Sequence, residues 1–447
     1  MTERILILGN GIAGLSAAKS ALENRPDAKI TMVSEEPSLS YTRPLLSKTF
    51  FKTLREEDIR IEEREWYEER GIEQILGIRA EALSPDQRTV RLSDGRVLCY
   101  DSCVYALGAS PSIPPIRGAE KKGVAVVRTL ADFSYIRRTL VLAERAVVIG
   151  GGVIGLEMAW EMSQMGCLVT VLEAAPRLMS RQLDEESAAV FMEILEKRGI
   201  SVHTGVRIEE IAGQSRAEGV RLEDGRWFPA DLILLSCGVR ANVELAKQAG
   251  LPCRRGLVVD CFLRAGADGI YGAGDCIEIQ SPAQNPGQSP SQNPSQIPSQ
   301  DPDQTPATVL NPGLWNYARR SGEIAGYQAS GQTPERKFEA PREGLIFHGA
   351  GTALFSIGRV EEGPGIRTQV RQIERKIERQ IEKQIERQMN GQMEREGLPR
   401  GRFLVNPRAQ GAVCYEKRFY DGTGLCGAVL IGDLTAMEQI KQEMGVN

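Results

Sequence analysis

Apolar residues along this chain follow two alternating rhythms. Short apolar runs stand at Ile5-Leu6-Ile7-Leu8, Ile30-Thr31-Met32-Val33, Ala146-Val147-Val148-Ile149 and Leu168-Val169-Thr170-Val171-Leu172, with stretches of helical spacing between them. The run at 5–8 passes through a glycine-rich turn into a helical pattern over 15–22 and then into the run at 30–33. This is a β-α-β unit of about 30 residues. The same succession recurs at 146–173, with its helix expected over 153–165. A further strand is expected at 102–107. Alternating strands and helices predict an α/β fold with parallel sheets, and two copies of one unit predict two ligand sites, or one site and a relic.

Two segments break the rhythm. In 281–306, prolines fall at 282, 286, 290, 294, 298, 302 and 306, a period of four among Gln, Ser and Asn. Proline at that density suits neither helix nor sheet and predicts an extended, solvated excursion. The second segment, 366–397, is built on Gln-Ile-Glu-Arg tetrapeptides. Its apolar stripe, Ile366, Val370, Ile373, Ile377, Ile381, Ile385, Met389 and Met393, would wind slowly around any helix it formed. Either it is a repeat tolerated in a surface loop, or it is a helical arm that binds a partner.

Composition narrows the function classes. A chain of 447 residues predicts two or three domains. A net charge of −4 offers no basic patch for nucleic acid. No apolar run approaches the 18 or more residues of a membrane span. The first strand begins almost at the initiator Met, which leaves no signal peptide and implies a cytoplasmic location. Nine cysteines, an odd number without any C-x-x-C, argue against a disulfide framework or zinc site. Cys99 and Cys103, flanking the strand at 102–107, are expected to be buried small hydrophobes. The two histidines, His203 and His348, leave little material for metal or triad chemistry, so no metal site is expected.

The chemistry lies in the two turns. Gly9-Asn10-Gly11-Ile12-Ala13-Gly14 reads G-x-G-x-x-G between strand and helix. Its glycines permit the tight turn, the approach of a pyrophosphate to the backbone and close helix–strand packing. Glu35 follows the second strand, where a carboxylate can accept from ribose hydroxyls, and Glu36 competes for that role. Gly150-Gly151-Gly152-Val153-Ile154-Gly155 repeats the fingerprint, with Glu173 at the matching position. A carboxylate there bonds a ribose 2′-OH and repels a 2′-phosphate. No Arg or Lys occupies 174–176, and Arg177 follows Pro176, so NADH is expected over NADPH.

Three further segments join these motifs in order: Tyr105-Ala106-Leu107-Gly108-Ala109, Leu234 to Asn242, and Ile270-Tyr271-Gly272-Ala273-Gly274-Asp275-Cys276. Together the five resemble the two-dinucleotide flavoproteins related to glutathione reductase. The resemblance implies an FAD domain over 1–112 and 250–335, an inserted NADH domain over 113–249, and an α+β C-terminal interface domain over 336–447. The segment Tyr41-Thr42-Arg43-Pro44-Leu45-Leu46-Ser47-Lys48 carries no thiol, which sets the chain apart from disulfide reductases and NADH peroxidases. Its wording is similar to the rubredoxin and ferredoxin reductases. That branch implies a Lys at Lys48 beside the flavin, paired with Glu157, as the catalytic pair. It implies FAD contacts from Gly9, Gly11, Ile12, Ala13, Gly14, Glu35, Arg43, Lys48, Ala80 (adenine), Arg128 (pyrophosphate), Asp275 (ribityl chain) and Leu314. Nucleotide contacts come from Gly150, Gly152, Val153, Ile154, Gly155, Glu173 and Gly238.

The implied activity is hydride transfer from NADH to FAD, followed by one-electron delivery to a small carrier such as rubredoxin or a ferredoxin. The alternatives are an NADH oxidase reducing O₂ to peroxide, the flavin module of a larger nitrite reductase, and a non-enzymatic NADH/FAD redox sensor similar to the apoptosis-inducing-factor branch. The nitrite reductase is disfavoured because no Cys-rich domain follows Asn447. Partnership with nucleic acid or membrane is not expected, and a homodimer is left open.

Overall fold

The apolar runs at 5–8 and 30–33 become neighbouring parallel strands, Arg4–Leu8 and Lys29–Ser34, joined by the helix Ile12–Asn24. The computed structural model describes residues 3–48, 54–280, 308–309, 313–375 and 412–446. The expected excursion at 281–306 and the repeat beyond 375 lie outside the described residues. The chain divides into two units. One comprises Met1–Pro114, Ala125–Thr139 and Ser236–Arg342, and the other Pro115–Val124, Leu140–Leu235 and Glu343–Asn447.

The first unit is built on a five-stranded parallel sheet in the order Ile270–Gly272, Ser102–Tyr105, Arg4–Leu8, Lys29–Ser34, Glu73–Leu76. Strand order reverses on either side of Arg4–Leu8. Loops leaving the carboxyl ends of three adjacent strands therefore open side by side, the usual place for a ligand in such a sheet. The helix Trp315–Ala329 lies across Ile12–Asn24. A Cβ added at Gly322 would stand 2.2 Å from the carbonyl oxygen of Ala13, and one at Gly326 2.1 Å from that of Ala17. Two glycines one turn apart thus let the two backbones touch.

The strand expected at 102–107 runs Ser102–Tyr105, so Cys103 lies inside it rather than beside it. Cys103 is buried as expected, but Cys99 is exposed. It ends the strand Val97–Cys99 of a separate antiparallel sheet, where side chains alternate between core and solvent.

The second unit repeats the pattern. Its parallel strands run in the order Ser201–His203, Leu168–Leu172, Arg145–Ile149, Leu232–Leu235. The helix expected at 153–165 spans Val153–Gln164. The C-terminal part of this unit is an antiparallel sheet in the order Leu345–Gly349, Thr352–Gly358, Gly424–Ile431, Ala412–Asp421, Arg367–Arg375. The first residues of the tetrapeptide repeat are therefore an edge strand and not the helical arm considered above. The reason is arithmetical: four is a multiple of two, so a residue every fourth position also stays on one face of a strand. The nine-residue pairing with Ala412–Asp421 decides between the two geometries.

Candidate functional site

Gly9 leaves the strand Arg4–Leu8 with φ +111°, a left-handed conformation that suits glycine. A Cβ there would meet the Ala106 carbonyl oxygen at 2.1 Å, and one at Gly14 the Gly9 oxygen at 2.0 Å. Both positions are closed by the protein itself. Gly11 differs: its φ of −81° and ψ of −176° are extended backbone that any residue adopts. A Cβ at Gly11 would meet no described atom within 4 Å. Nothing in the described fold asks for glycine here, and its bare backbone leaves room for a group to lie against it. Among the described residues no side chain caps the helix that starts here, so its first N–H groups and the positive end of its dipole face that position.

The neighbouring loops converge on this turn. A Cβ at Gly274 would come 2.8 Å from that of Ala13, so the 273–276 turn sits against the start of the first helix. The Gly274 N–H donates to Ser321 Oγ at 2.9 Å, fastening that turn to Trp315–Ala329, whose N-terminal flank is Leu314. Asp275 accepts from Arg128 Nη2 at 2.9 Å. Asn242 knits the 105–110 segment together: its N–H donates to Gly108 O, its side-chain amide donates to Leu107 O, and its backbone carbonyl accepts from the Tyr105 hydroxyl. Gly238, whose carbonyl accepts from Ser112 N–H, is exposed in this same unit. Ala80 opens the strand Ala80–Ser84.

Of the two competing carboxylates, Glu36 is engaged. It accepts from the Tyr41 hydroxyl at 2.6 Å and from Arg43 Nη2 at 2.7 Å. Arg43 lies over the Tyr41 ring, 4.8 Å from its centroid, and its other Nη donates to the Arg128 carbonyl. Burial holds the Tyr41 phenol above its ordinary pKa, against the opposing charge of Arg43. Glu35 is exposed beside them. Lys48, half-buried, closes the 3₁₀ turn Arg43–Ser47 in the first unit. Glu157, only 3% exposed, belongs to the helix Val153–Gln164 of the second.

The second glycine turn has the same geometry. Gly150 has φ +113°, and Gly152 is again extended (φ −82°, ψ 179°), with no described atom within 4 Å of an added Cβ. Val153, Ile154 and Gly155 open the helix, and Ile154 is 41% exposed. The Glu173 carboxylate accepts from the N–H groups of Gly151 at 2.5 Å and Ala175 at 2.6 Å. It is therefore fixed beside the turn, with lone pairs remaining for a hydroxyl donor. Arg177 donates to the carbonyls of Leu183 and Ser180, which holds its guanidinium within its own loop.

Both turns fit a dinucleotide by the same test: a helix N-terminus, and a central glycine that leaves the backbone open for a pyrophosphate to approach. Thiol chemistry has little support. All nine cysteines are free, and burial pushes the thiols of Cys103 and Cys276 up to about 12. Asp184, Glu186 and Glu362 form a carboxylate group, but Lys417 Nζ bonds to all three. Sequence reasoning missed that cluster and also the Gly322/Gly326 crossing, although the Gly-x-x-x-Gly spacing was visible. Among the described residues no helix is long and apolar enough to cross a membrane.

Comparison with known proteins agrees with this geometry. Over 277 residues the chain is 35% identical to the nitrite reductase [NAD(P)H] of Bacillus subtilis, covering 62% of this chain and 34% of that protein. The chain thus spans about a third of that relative's length. Over 275 residues it is 33% identical to the ferredoxin–NAD(+) reductase subunit of the benzene 1,2-dioxygenase system of Pseudomonas putida, covering 62% and 67% respectively. A solved NAD-dependent persulfide reductase from A. fulgidus shares the fold, with a TM-score of 0.79 at 23% identity, over 98% of this chain and 75% of that one. Residues 3–307 match the pyridine nucleotide-disulphide oxidoreductase family, and the chain belongs to that family.

Proposed function

We propose that this chain is an FAD-dependent NADH oxidoreductase that delivers electrons to a small carrier protein of the rubredoxin or ferredoxin kind. FAD and NAD(P)H are the cofactors of its family. The observation that carries the reading is the pair Gly11 and Gly152, each open to a ligand and each at a helix N-terminus. The similarity to the Pseudomonas putida reductase supports the choice of carrier. A cytoplasmic location and the domain limits given above, FAD in 1–112 and 250–335 and NADH in 113–249, belong to the same proposal.

In this reading the turn at 9–14 holds the FAD pyrophosphate, Glu35 takes the ribose, Arg128 offsets phosphate charge and Asp275 binds the ribityl chain. Ala80 and Leu314 border the same cofactor. Glu36 does not serve the ribose: it holds Arg43, which in turn holds the backbone of Arg128. Gly150 to Gly155 and Gly238 serve NADH, and Glu173 selects against a 2′-phosphate. Bound together, the two cofactors supply two-electron transfer from nicotinamide to flavin and single-electron release to a carrier. Lys48 contributes positive charge toward the flavin.

The protein should purify yellow with one FAD per chain and be bleached under anaerobic conditions by one equivalent of NADH. Colourless protein that fails to reconstitute with FAD would sink the reading. Replacing Lys48 with Met should lower the flavin midpoint potential by roughly 20–65 mV, the equivalent of losing ~1–3 kcal/mol of charge stabilisation for a two-electron couple. An unchanged potential would remove Lys48 from the proposed machinery. A second reading, electron delivery to a nitrite-reducing centre, is favoured by the similarity to the Bacillus subtilis nitrite reductase.

A further inference from the structure

Lys417 is a charged residue in an unexpected place. It lies on the strand Ala412–Asp421 and is fully buried. Its ammonium donates to Asp184 Oδ2 at 2.5 Å, Glu186 Oε2 at 2.7 Å and Glu362 Oε1 at 2.6 Å, using all three of its protons. Burial alone would lower its pKa, but the three carboxylates outweigh that and raise it above the ordinary lysine value. The group therefore remains an ammonium across the neutral range. Of the three carboxylates only Asp184 is buried with it, Glu186 and Glu362 being exposed, and a buried ion pair of this kind is weak support for stability, since apolar packing could replace it.

A role beyond stability is suggested by what Asp184 terminates. Its other carboxylate oxygen caps the helix Glu185–Lys197 by accepting from Ser187 N–H. Residues 177–184, just before it, follow the strand Leu168–Leu172 and fold back against the second glycine turn. The Met179 N–H donates to the Gly151 carbonyl at 3.0 Å, and Leu178 packs on Gly151 so closely that an added Cβ would lie 2.5 Å from it. Met179 itself has φ +46°, an unfavourable conformation for a side chain of its size, so the loop is held from both ends. Ser356 Oγ, on the strand Thr352–Gly358, donates to the Gln182 carbonyl at 2.5 Å.

We propose that Lys417, with Ser356, is a positioning residue for the pyridine-nucleotide site, holding the 177–184 loop against Gly151 from the C-terminal sheet. The inference rests on the assignment of 150–155 to the nucleotide. The test uses the full chain with FAD bound and measures NAD⁺ affinity calorimetrically, well below the melting temperature. Lys417→Met should weaken NAD⁺ by roughly tenfold, the scale expected when a positioning contact is lost. Lys417→Arg should recover most of this, while flavin content and visible spectrum stay as in wild type. Should Lys417→Met fail to fold, Ser356→Ala and the more exposed Glu362→Gln take its place, each expected to weaken NAD⁺ about three- to fivefold. Variants with lowered melting temperature and NAD⁺ affinity within twofold of wild type would overturn the proposal, because a merely structural cluster behaves that way. Wild-type protein that binds no NAD⁺ would overturn the nucleotide-site assignment beneath it.

Discussion

Gly11→Val should give a folded, colourless protein. The backbone at Gly11 is extended, at φ −81° and ψ −176°, and a Cβ there meets no described atom within 4 Å, so the chain itself tolerates the substitution. A bound pyrophosphate would not. The isopropyl group would occupy its place and shield the first N–H groups of the helix. Loss of ~4 kcal/mol of binding corresponds to about a thousandfold in Kd, enough to strip flavin during purification. Circular dichroism and melting temperature should match the wild-type apoprotein. The control is Gly14→Val, where a Cβ lies 2.0 Å from the Gly9 carbonyl oxygen and the fold itself should suffer. A yellow, stoichiometric Gly11→Val protein would show that this turn does not hold the flavin.

Gly152→Val should separate the two sites in the opposite sense. Its backbone is equally extended and equally open, so folding should survive. The expected protein is yellow with full flavin content, yet NADH should no longer bleach it at concentrations that reduce wild type completely. The apparent affinity should fall by on the order of a hundredfold or more, equivalent to ~3 kcal/mol. Gly151 makes a poor substitute for this experiment. A side chain there strikes Leu178 and the Glu173 carbon chain, so binding and structure would be lost together. Normal reduction of Gly152→Val by NADH would place the nucleotide elsewhere.

The two β-α-β units were readable because everything that defines them is local. An apolar run, three glycines at fixed spacing and an amphipathic stretch fall within 30 residues or so, and the strands appeared within a residue or two of expectation. The engagement of Glu36 by Tyr41 and Arg43 was not readable, because they reach back to it only once the 3₁₀ turn has formed. Lys417 meets Asp184 across a sequence separation of 233 residues, and no pattern within either segment announces it. The strand Arg367–Arg375 was obscured because a four-residue repeat suits one face of a strand as well as a slowly winding helical stripe, and only its partner strand resolves the ambiguity. Cys99 was misjudged for a similar reason, since its burial depends on which sheet the short strand Val97–Cys99 joins.

Steady-state NADH oxidation by the purified flavoprotein, with rubredoxin, ferredoxin, ferricyanide and O₂ compared as acceptors under matched conditions, tests the central claim most directly. The account predicts that an iron–sulfur carrier accelerates NADH consumption far above the rate with O₂ alone, and that this acceleration is absent from Gly152→Val. Turnover with O₂ that no carrier increases, or slow turnover with every acceptor, would contradict it.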